Sequence, residues 1–222
     1  MKKVFLLIMV AVLGMATANA QWYLGGSLGF RSNTYDPDVD GAKKGKVTAF
    51  SIVPEIGYSL TDKVDLGISI GFTSTKFKDT NVDFMFLGEQ VELDGVKEFT
   101  ITGWEVAPYI RYNLVQFGNF SLLGKASIDI EGGKMKNKIE GGDDEELKYT
   151  AFGFNIKPVL KYTLSEKFDL LADLNFLSLG FNQTNVKDGA TVTDFGLNVD
   201  SNDVANIGGG STPFTIGFAF KF

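Results

Sequence analysis

The sequence predicts an all-β fold, an eight-stranded antiparallel up-and-down transmembrane β-barrel. In eight strand-like stretches no even-numbered position is charged, although 22% of the whole chain is charged. The odd positions between them carry lysines, arginines and carboxylates. Side chains alternate between the two faces of a strand, so one face is apolar and the other polar. An apolar outer face around a charged interior is typical of a transmembrane barrel. The stretches are 22–32, 50–60, 64–72, 100–114, 120–130, 150–164, 168–180 and 214–222.

The amino-terminal residues predict how such a chain reaches a membrane. Lys2 and Lys3 precede an apolar run over 4–13, and the small residues 18–20 (Ala-Asn-Ala) form a cleavage site. This pattern indicates a signal peptide over 1–20, with a buried core helix as the alternative. We therefore expect one barrel domain over 21–222, and no later segment has the roughly 20 apolar residues of a spanning helix.

The connections between the stretches alternate between short and long. Short turns are predicted at 61–63, 115–119 and 165–167. Four long connections complete the pattern, at 33–46, 77–98, 132–148 and 182–210. Three short periplasmic turns and four long external loops are the usual arrangement of an outer-membrane barrel.

A repeated pattern supports this strand count. Pro54, Pro108 and Pro158 each begin a Pro-x-Ile/Leu-x-Tyr-x-Leu unit that ends at a short turn. Each unit reads as one β-hairpin, with its tyrosine in an aromatic girdle at the periplasmic edge. Because proline donates no ladder hydrogen bond, we expect bulges or unpaired acceptors at these three positions.

The carboxyl-terminal strand is the most specific motif in the chain. It alternates aromatic and aliphatic residues with small or polar ones, the first set being Phe214, Ile216, Phe218, Phe220 and Phe222. Together with the signal peptide and the hairpin units, it resembles the small OmpA/OmpX-like family of outer-membrane β-barrel proteins, which are often described as porin-like. The resemblance implies the outer membrane of a Gram-negative bacterium, and a terminal strand that the outer-membrane assembly machinery reads as its signal. We expect a monomer.

The charged odd positions are expected to meet inside the barrel. Since an eight-stranded barrel is just wide enough to be filled by side chains, isolated ions there must pair. We predict a lumen ion-pair network of Glu55, Glu105, Arg111, Lys125, Lys157 and Asp173. We expect Glu55 to be coupled to Lys125, and the glycines at odd positions to leave room for water.

Composition restricts the function classes. The chain has no His and no Cys, so histidine-dependent hydrolases and transferases of the outer membrane are excluded, and we expect no enzyme and no cofactor. The net charge of −6 becomes −8 once Lys2 and Lys3 are removed with the signal peptide. An acidic chain of this kind is not expected to bind nucleic acid.

The external loops carry two further patterns. Asp36, Asp38 and Asp40 resemble the first half of a calcium loop, but Val47 stands where a bidentate Glu is needed. A solvated acidic loop is therefore the alternative, and we predict no metal site. The third loop places lysines opposite carboxylates across Gly141–Gly142, which predicts a strand pair rising above the membrane.

These observations predict a structural outer-membrane component with a plugged polar interior. Its external loops would contact lipopolysaccharide, outer-membrane lipid or a surface protein. The alternative function is a narrow porin-like channel for ions or small solutes, lined by the same charges.

Overall fold

The computed structural model describes residues 22–35, 44–78, 84–86, 89–91, 96–139, 145–187, 189, 191–197 and 215–222. Its strands are β1 (Trp22–Tyr35), β2 (Gly45–Thr61), β3 (Val64–Lys78), β4 (Phe84–Phe86), β5 (Glu89–Val91), β6 (Val96–Phe117), β7 (Phe120–Ile139), β8 (Glu145–Ser165), β9 (Phe168–Asp173), β10 (Leu179–Val186), β11 (Thr191–Leu197) and β12 (Thr215–Lys221). In this part of the chain, no helix is long and apolar enough to cross a membrane.

Eight of these strands close into a barrel. Each pairs antiparallel with the next in the order β1, β2, β3, β6, β7, β8, β9, β12. The ring closes where Tyr23–Leu28 of β1 pairs with Ile216–Lys221 of β12. Closure removes the exposed edges that a membrane would not tolerate. The predicted fold class is therefore confirmed.

The strands extend further outward than the uncharged stretches. The β6–β7 ladder continues to Glu98 opposite Lys138, and β8 pairs with β7 from Glu145 opposite Asn137. This is the strand pair predicted for the third loop. Short strands β4 and β5 pair with each other within the second predicted loop. The carboxylates Asp36, Asp38 and Asp40, together with Pro213 and Phe214, lie outside the described residues.

The three short turns lie where the sequence predicts them. Gly118 has a φ of 56°, in the left-handed region that glycine occupies without strain. The ladder beside Pro54 and Pro108 skips two positions and resumes in the same register, as expected where a donor is missing. The expected bulges are not at these prolines. The register shifts follow each tyrosine instead, at Ser59/Thr61, Asn113/Val115 and Thr163/Ser165.

Side chains alternate between the outer surface and the lumen as predicted, with one correction. Even-numbered apolar residues such as Ile68, Ile128 and Phe218 are exposed on the outer surface, whereas odd neighbours such as Ser69, Ser127 and Ala219 are buried. Beyond β9, a 3-10 turn over Asn175–Leu177 breaks the strand. Odd positions then face outward in β10, beginning with Leu179. The prediction of one unbroken even register over 168–180 is therefore wrong.

Two apolar clusters lie in the lumen. The external cluster consists of Phe77, Phe99, Ile101, Met135 and Tyr149. The periplasmic cluster consists of Tyr23, Leu123, Val159, Leu171 and Ala219. Since these residues come from opposite ends of the strands, the six predicted network residues of the lumen lie between the two apolar clusters. The sequence prediction of a polar interior did not include either layer.

Candidate functional site

The shortest buried ion pair joins β6 to β2 across β3. Arg111 Nη2 donates to both carboxylate oxygens of Glu55, at 2.9 Å to Oε1 and 2.6 Å to Oε2. The Arg111 side chain is 4% exposed and that of Glu55 6%. A charge-assisted pair so completely removed from water is strong only while both partners are present. It ties together two strands that share no ladder.

A second group of charges surrounds Asp173. Its Oδ2 lies 3.7 Å from Lys125 Nζ and 3.6 Å from Lys157 Nζ. Lys157 Nζ also donates to Asn175 Oδ1 at 3.2 Å, and Asn175 Nδ2 donates to Thr215 Oγ1 at 3.0 Å. Asp173 is the last residue of β9, and Asn175 is the first residue of the 3-10 turn that separates β9 from β10. The interruption of the strand thus places both side chains among the lumen lysines.

Two tyrosines connect these groups. Two cations lie over the Tyr109 ring, with Arg111 Cζ and Lys125 Nζ each 4.6 Å from its centroid. Its hydroxyl is 3.0 Å from the hydroxyl of Tyr23. The ring occupies the space above Gly67, where a Cβ would collide with it. The odd-numbered glycines at such positions therefore make room for tyrosines rather than for water.

The six predicted network residues all lie in the lumen, but one of the predicted pairings between them is not formed. Glu55 pairs with Arg111 and Lys125 with Asp173, so the coupling expected between Glu55 and Lys125 is not formed. Glu105 is buried and lines the same cavity as the other five. Three carboxylates and three cations balance within this set. Tyr23, Tyr109 and Asn175 were missed, because uncharged side chains carry no signal in a parity analysis.

A cavity of about 260 Å³ lies among these side chains. Its lining includes the six charged residues and a stretch of β1. The outward-register residues Leu28, Phe30 and Ile216 also line it, so it reaches the wall where β1 meets β12. A volume of this size holds several water molecules but not a sizeable solute.

An ion cluster lies outside the lumen on the external part of the barrel wall. Glu98 accepts from Lys76 at 2.9 Å, and its carboxylate lies 3.4 Å from Lys138 and 3.6 Å from Lys78. The hydrogen bond from Lys76 chiefly holds the pKa of the Glu98 carboxyl below its usual value. Glu98 therefore stays ionised through the neutral pH range and neutralises one of the three lysines.

The terminal strand shows the predicted alternation in its described part. Ile216, Phe218 and Phe220 are exposed on the outer surface. Phe218 stacks on Phe168 with ring centroids 6.0 Å apart, and Phe222 N donates to Trp22 O at 3.0 Å. Closure of the barrel thus depends on this strand, since it pairs with both β1 and β9.

The described residues do not form a carboxylate cluster suited to a metal ion. Among them, no group of three or more His, Cys, Asp or Glu side chains could hold an ion. The chain has no His and no Cys, which leaves carboxylates as the only strong ligands, and Glu55 and Asp173 in the lumen have cationic neighbours.

Comparison with protein families identifies the class of protein. A family model for the outer membrane protein beta-barrel domain matches residues 4–208, so the chain belongs to that family. It is a protein of the bacterial outer membrane, as the resemblance to OmpA/OmpX-like barrels predicted. No curated protein sequence matches the chain significantly.

Three solved structures illustrate the similarity. Ail, the attachment invasion locus protein of Yersinia pestis, solved in complex with the heparin analogue sucrose octasulfate, is 12% identical with a TM-score of 0.44, covering 91% of this chain and 99% of that one. Neisserial surface protein A is 13% identical with a TM-score of 0.43, at 90% and 96% coverage. A major outer membrane protein from Thermus thermophilus is 14% identical with a TM-score of 0.45, at 92% and 100% coverage.

Proposed function

We propose that this protein is a structural component of the outer membrane whose lumen is plugged and whose external strands serve as an interaction surface. One observation carries the proposal: the charged layer of the lumen lies between the external and the periplasmic apolar clusters. Ions crossing the barrel would have to pass both apolar layers, and apolar constrictions oppose conduction by excluding water.

The width of the barrel supports the same conclusion. Eight strands enclose a space that side chains alone can fill. Tyr23, Tyr109 and Tyr149 occupy it from different strands, above glycines that would otherwise leave gaps. The balanced charges then act as the polar part of a packed core. Their function would be to specify which strands meet, because a buried charge that is left without its partner is strongly destabilising.

The alternative function is a narrow ion channel. It is favoured by the cavity among Glu105, Lys125 and Lys157, which would supply both water and fixed charge. Catalysis is not part of the proposal, because the lumen carboxylates Glu55 and Asp173 lie against cations and the chain has no His to act as a base.

Single-channel recording on the refolded protein in planar bilayers distinguishes the two functions. We expect a silent bilayer for the natural sequence. Discrete conductance steps whose ion selectivity changes in Lys125→Gln or Glu105→Gln would contradict the plug and establish the channel. Lys63→Gln, on an exposed periplasmic turn, provides the control for Lys125→Gln, because it removes the same single positive charge.

Two further parts of the proposal concern biogenesis. We propose that residues 1–20 are removed as a signal peptide, and that Phe214, Ile216, Phe218, Phe220 and Phe222 form the assembly signal. The alternation of lipid-facing side chains in β12 supports the second point. The mass of the protein isolated from outer membranes checks the first, because a chain that retains Lys2 and Lys3 would contradict cleavage.

The partners are proposals of the same kind. We propose outer-membrane lipid, lipopolysaccharide and a surface protein as contacts of the external strands. The β3, β6, β7 and β8 strands continue beyond the apolar band and supply the surface for these contacts. A protein partner could add a strand to the β4–β5 hairpin.

A further inference from the structure

On the outer surface, the outward side chains of several strands change from apolar to cationic at the same level. Along the outward register the apolar band ends at an aromatic or aliphatic residue: Phe50, Phe72, Ile130 or Phe152. Small or hydroxyl-bearing residues follow: Thr48, Ser74, Gly132 and Thr150. Lysines come next, at Lys46, Lys76, Lys134 and Lys148. Four strands, β2, β3, β7 and β8, thus repeat one vertical order of apolar, neutral and cationic residues.

These lysines belong to a larger surface, the lysine belt. It consists of Lys46, Lys76, Lys78, Lys134, Lys136, Lys138 and Lys148. On the described strands β2, β3, β6, β7 and β8, the outward positions at this level include two carboxylates, Glu98 and Glu146. The belt therefore carries a net charge of +5, whereas the whole chain carries −6. A general excess of basic residues does not account for it.

The height of the belt corresponds to the headgroup region of a bilayer. Along the outward register, each of the first lysines lies four residues beyond the last large apolar residue at an even-numbered position. At roughly 3.4 Å per residue and a tilt of about 40°, this places its Cα about 10 Å above the apolar band. A lysine side chain can extend back along the wall to the headgroups while its stem covers apolar surface.

Two pairs of lysines in the belt repel each other unless an anion lies between them. Lys46 stands directly opposite Lys78 in the β2–β3 ladder, and Lys134 stands opposite Lys148 in the β7–β8 ladder. Like charges directly opposite each other destabilise a sheet. Glu98 and Glu146 neutralise part of the belt, and an anion bound between the lysines of each pair would relieve the repulsion that remains among the described residues.

The belt is also one-sided. On β1 the outward positions at the corresponding level are Ser32 and Thr34, both exposed and uncharged. A non-specific attraction to a charged membrane surface would not require the lysines to be grouped on the strand pairs β2–β3 and β7–β8. Neighbouring lysine pairs separated by a few strands can instead hold two phosphates of one molecule or of adjacent molecules.

We propose that the lysine belt binds the phosphate groups of outer-leaflet glycolipid, with Lys46/Lys78 and Lys134/Lys148 each holding one phosphate. This rests on the proposed function, because it names the lipid contact of the interaction surface and the residues that make it. The acyl chains of the lipid would lie against the apolar band directly below, at Phe50, Phe72, Ile130 and Phe152. A soluble anion offers the lysines the same charge but no contact with that band.

Thermal unfolding of the refolded protein in neutral detergent micelles tests the proposal. Bis-phosphorylated lipid A is the probe, and its apparent affinity is obtained from the rise in melting temperature with concentration. Each lysine near an anionic surface accounts for roughly fivefold in binding. The variant Lys46→Gln/Lys78→Gln/Lys134→Gln/Lys148→Gln is therefore expected to bind lipid A about a hundredfold or more weakly. High salt should weaken binding to the natural sequence in the same direction.

The control replaces lysines on the periplasmic turns, Lys63→Gln and Lys167→Gln, and should leave the lipid A affinity unchanged. Equal affinity of the belt variant and the natural sequence would overturn the proposal. Inorganic phosphate and inositol hexaphosphate, added at equal phosphate concentration, should produce a much smaller rise. If they match lipid A, the belt is a site for soluble anions and the lipid assignment fails. Lipid A binding and conductance are measured independently. If the belt does not bind lipid A, the proposal of a plugged lumen is unaffected and is still tested by single-channel recording.

Discussion

Arg111→Met is expected to destabilise the folded barrel by about 3–5 kcal/mol, because it leaves the Glu55 carboxylate buried without its partner. The side chains of both residues are almost fully removed from solvent. Met replaces the bulk of the arginine stem, so the loss reports mainly on charge. The measurement is the free energy of unfolding in urea in lipid vesicles, followed by tryptophan fluorescence and by the mobility of the folded form.

The double variant Arg111→Met/Glu55→Gln should regain most of this loss, because no unpaired charge then remains. Glu55→Gln combined with Lys125→Met is the comparison pair. It removes two charges from the same layer that have different partners, Arg111 and Asp173. We expect weaker coupling there. If Arg111→Met costs the same with and without Glu55→Gln, the proposed ion-pair network does not stabilise the protein.

Ile68→Arg is expected to cost about 2–4 kcal/mol, because it would place a charge against lipid near the middle of the membrane. Ile68 is the central residue of the outward apolar run on β3, from Val64 to Phe72, and is 42% exposed on the outer surface. The same urea titration in vesicles measures the loss.

Ser74→Arg on the same strand is the matched control. Ser74 follows Phe72 on the outward register, next to Lys76, and a charge near the interface costs only about 0–1 kcal/mol. Equally small losses at positions 68 and 74 would show that Ile68 does not meet hydrocarbon and would contradict the account. A large loss at Ser74 alone would place the apolar band at a different level.

The parity of charged residues predicted most of the fold, for a physical reason. A charged side chain that faces lipid instead of the lumen costs free energy. Because side chains alternate between the two faces of a strand, charged residues are confined to every second position. The three periplasmic turns followed from the same pattern. The closing strand was predictable because Ile216, Phe218 and Phe220 alternate with small or polar residues.

The break after β9 was not predictable from parity. Leu174, Phe176, Ser178 and Gly180 are uncharged, so the even register reads as continuous even though the chain turns through Asn175–Leu177. The apolar clusters were missed for a related reason, since an uncharged odd residue can face either environment without breaking the pattern.

The partner of Glu55 was mispredicted because depth was counted in residues from the nearest turn. Strands in a barrel are tilted and staggered, so residues at equal counts on different strands differ in height. Glu55 lies opposite Ser69, which lies opposite Ala107, and Arg111 is four residues further along β6. The long arginine side chain spans that offset, which a count along the sequence does not register.

Outside β10, where the register is reversed, even-numbered side chains of the barrel strands face lipid while odd-numbered ones face the lumen. Single-cysteine scanning of β7 from Ser121 to Ile130 tests it most directly, because the chain has no Cys and each introduced thiol can carry one spin label. We predict that collision with oxygen dissolved in the membrane rises and falls with a period of two, with maxima at Ile128 and Ile130 and minima at Ser127 and Asp129. Maxima at the odd positions, or no period of two, would contradict the claim.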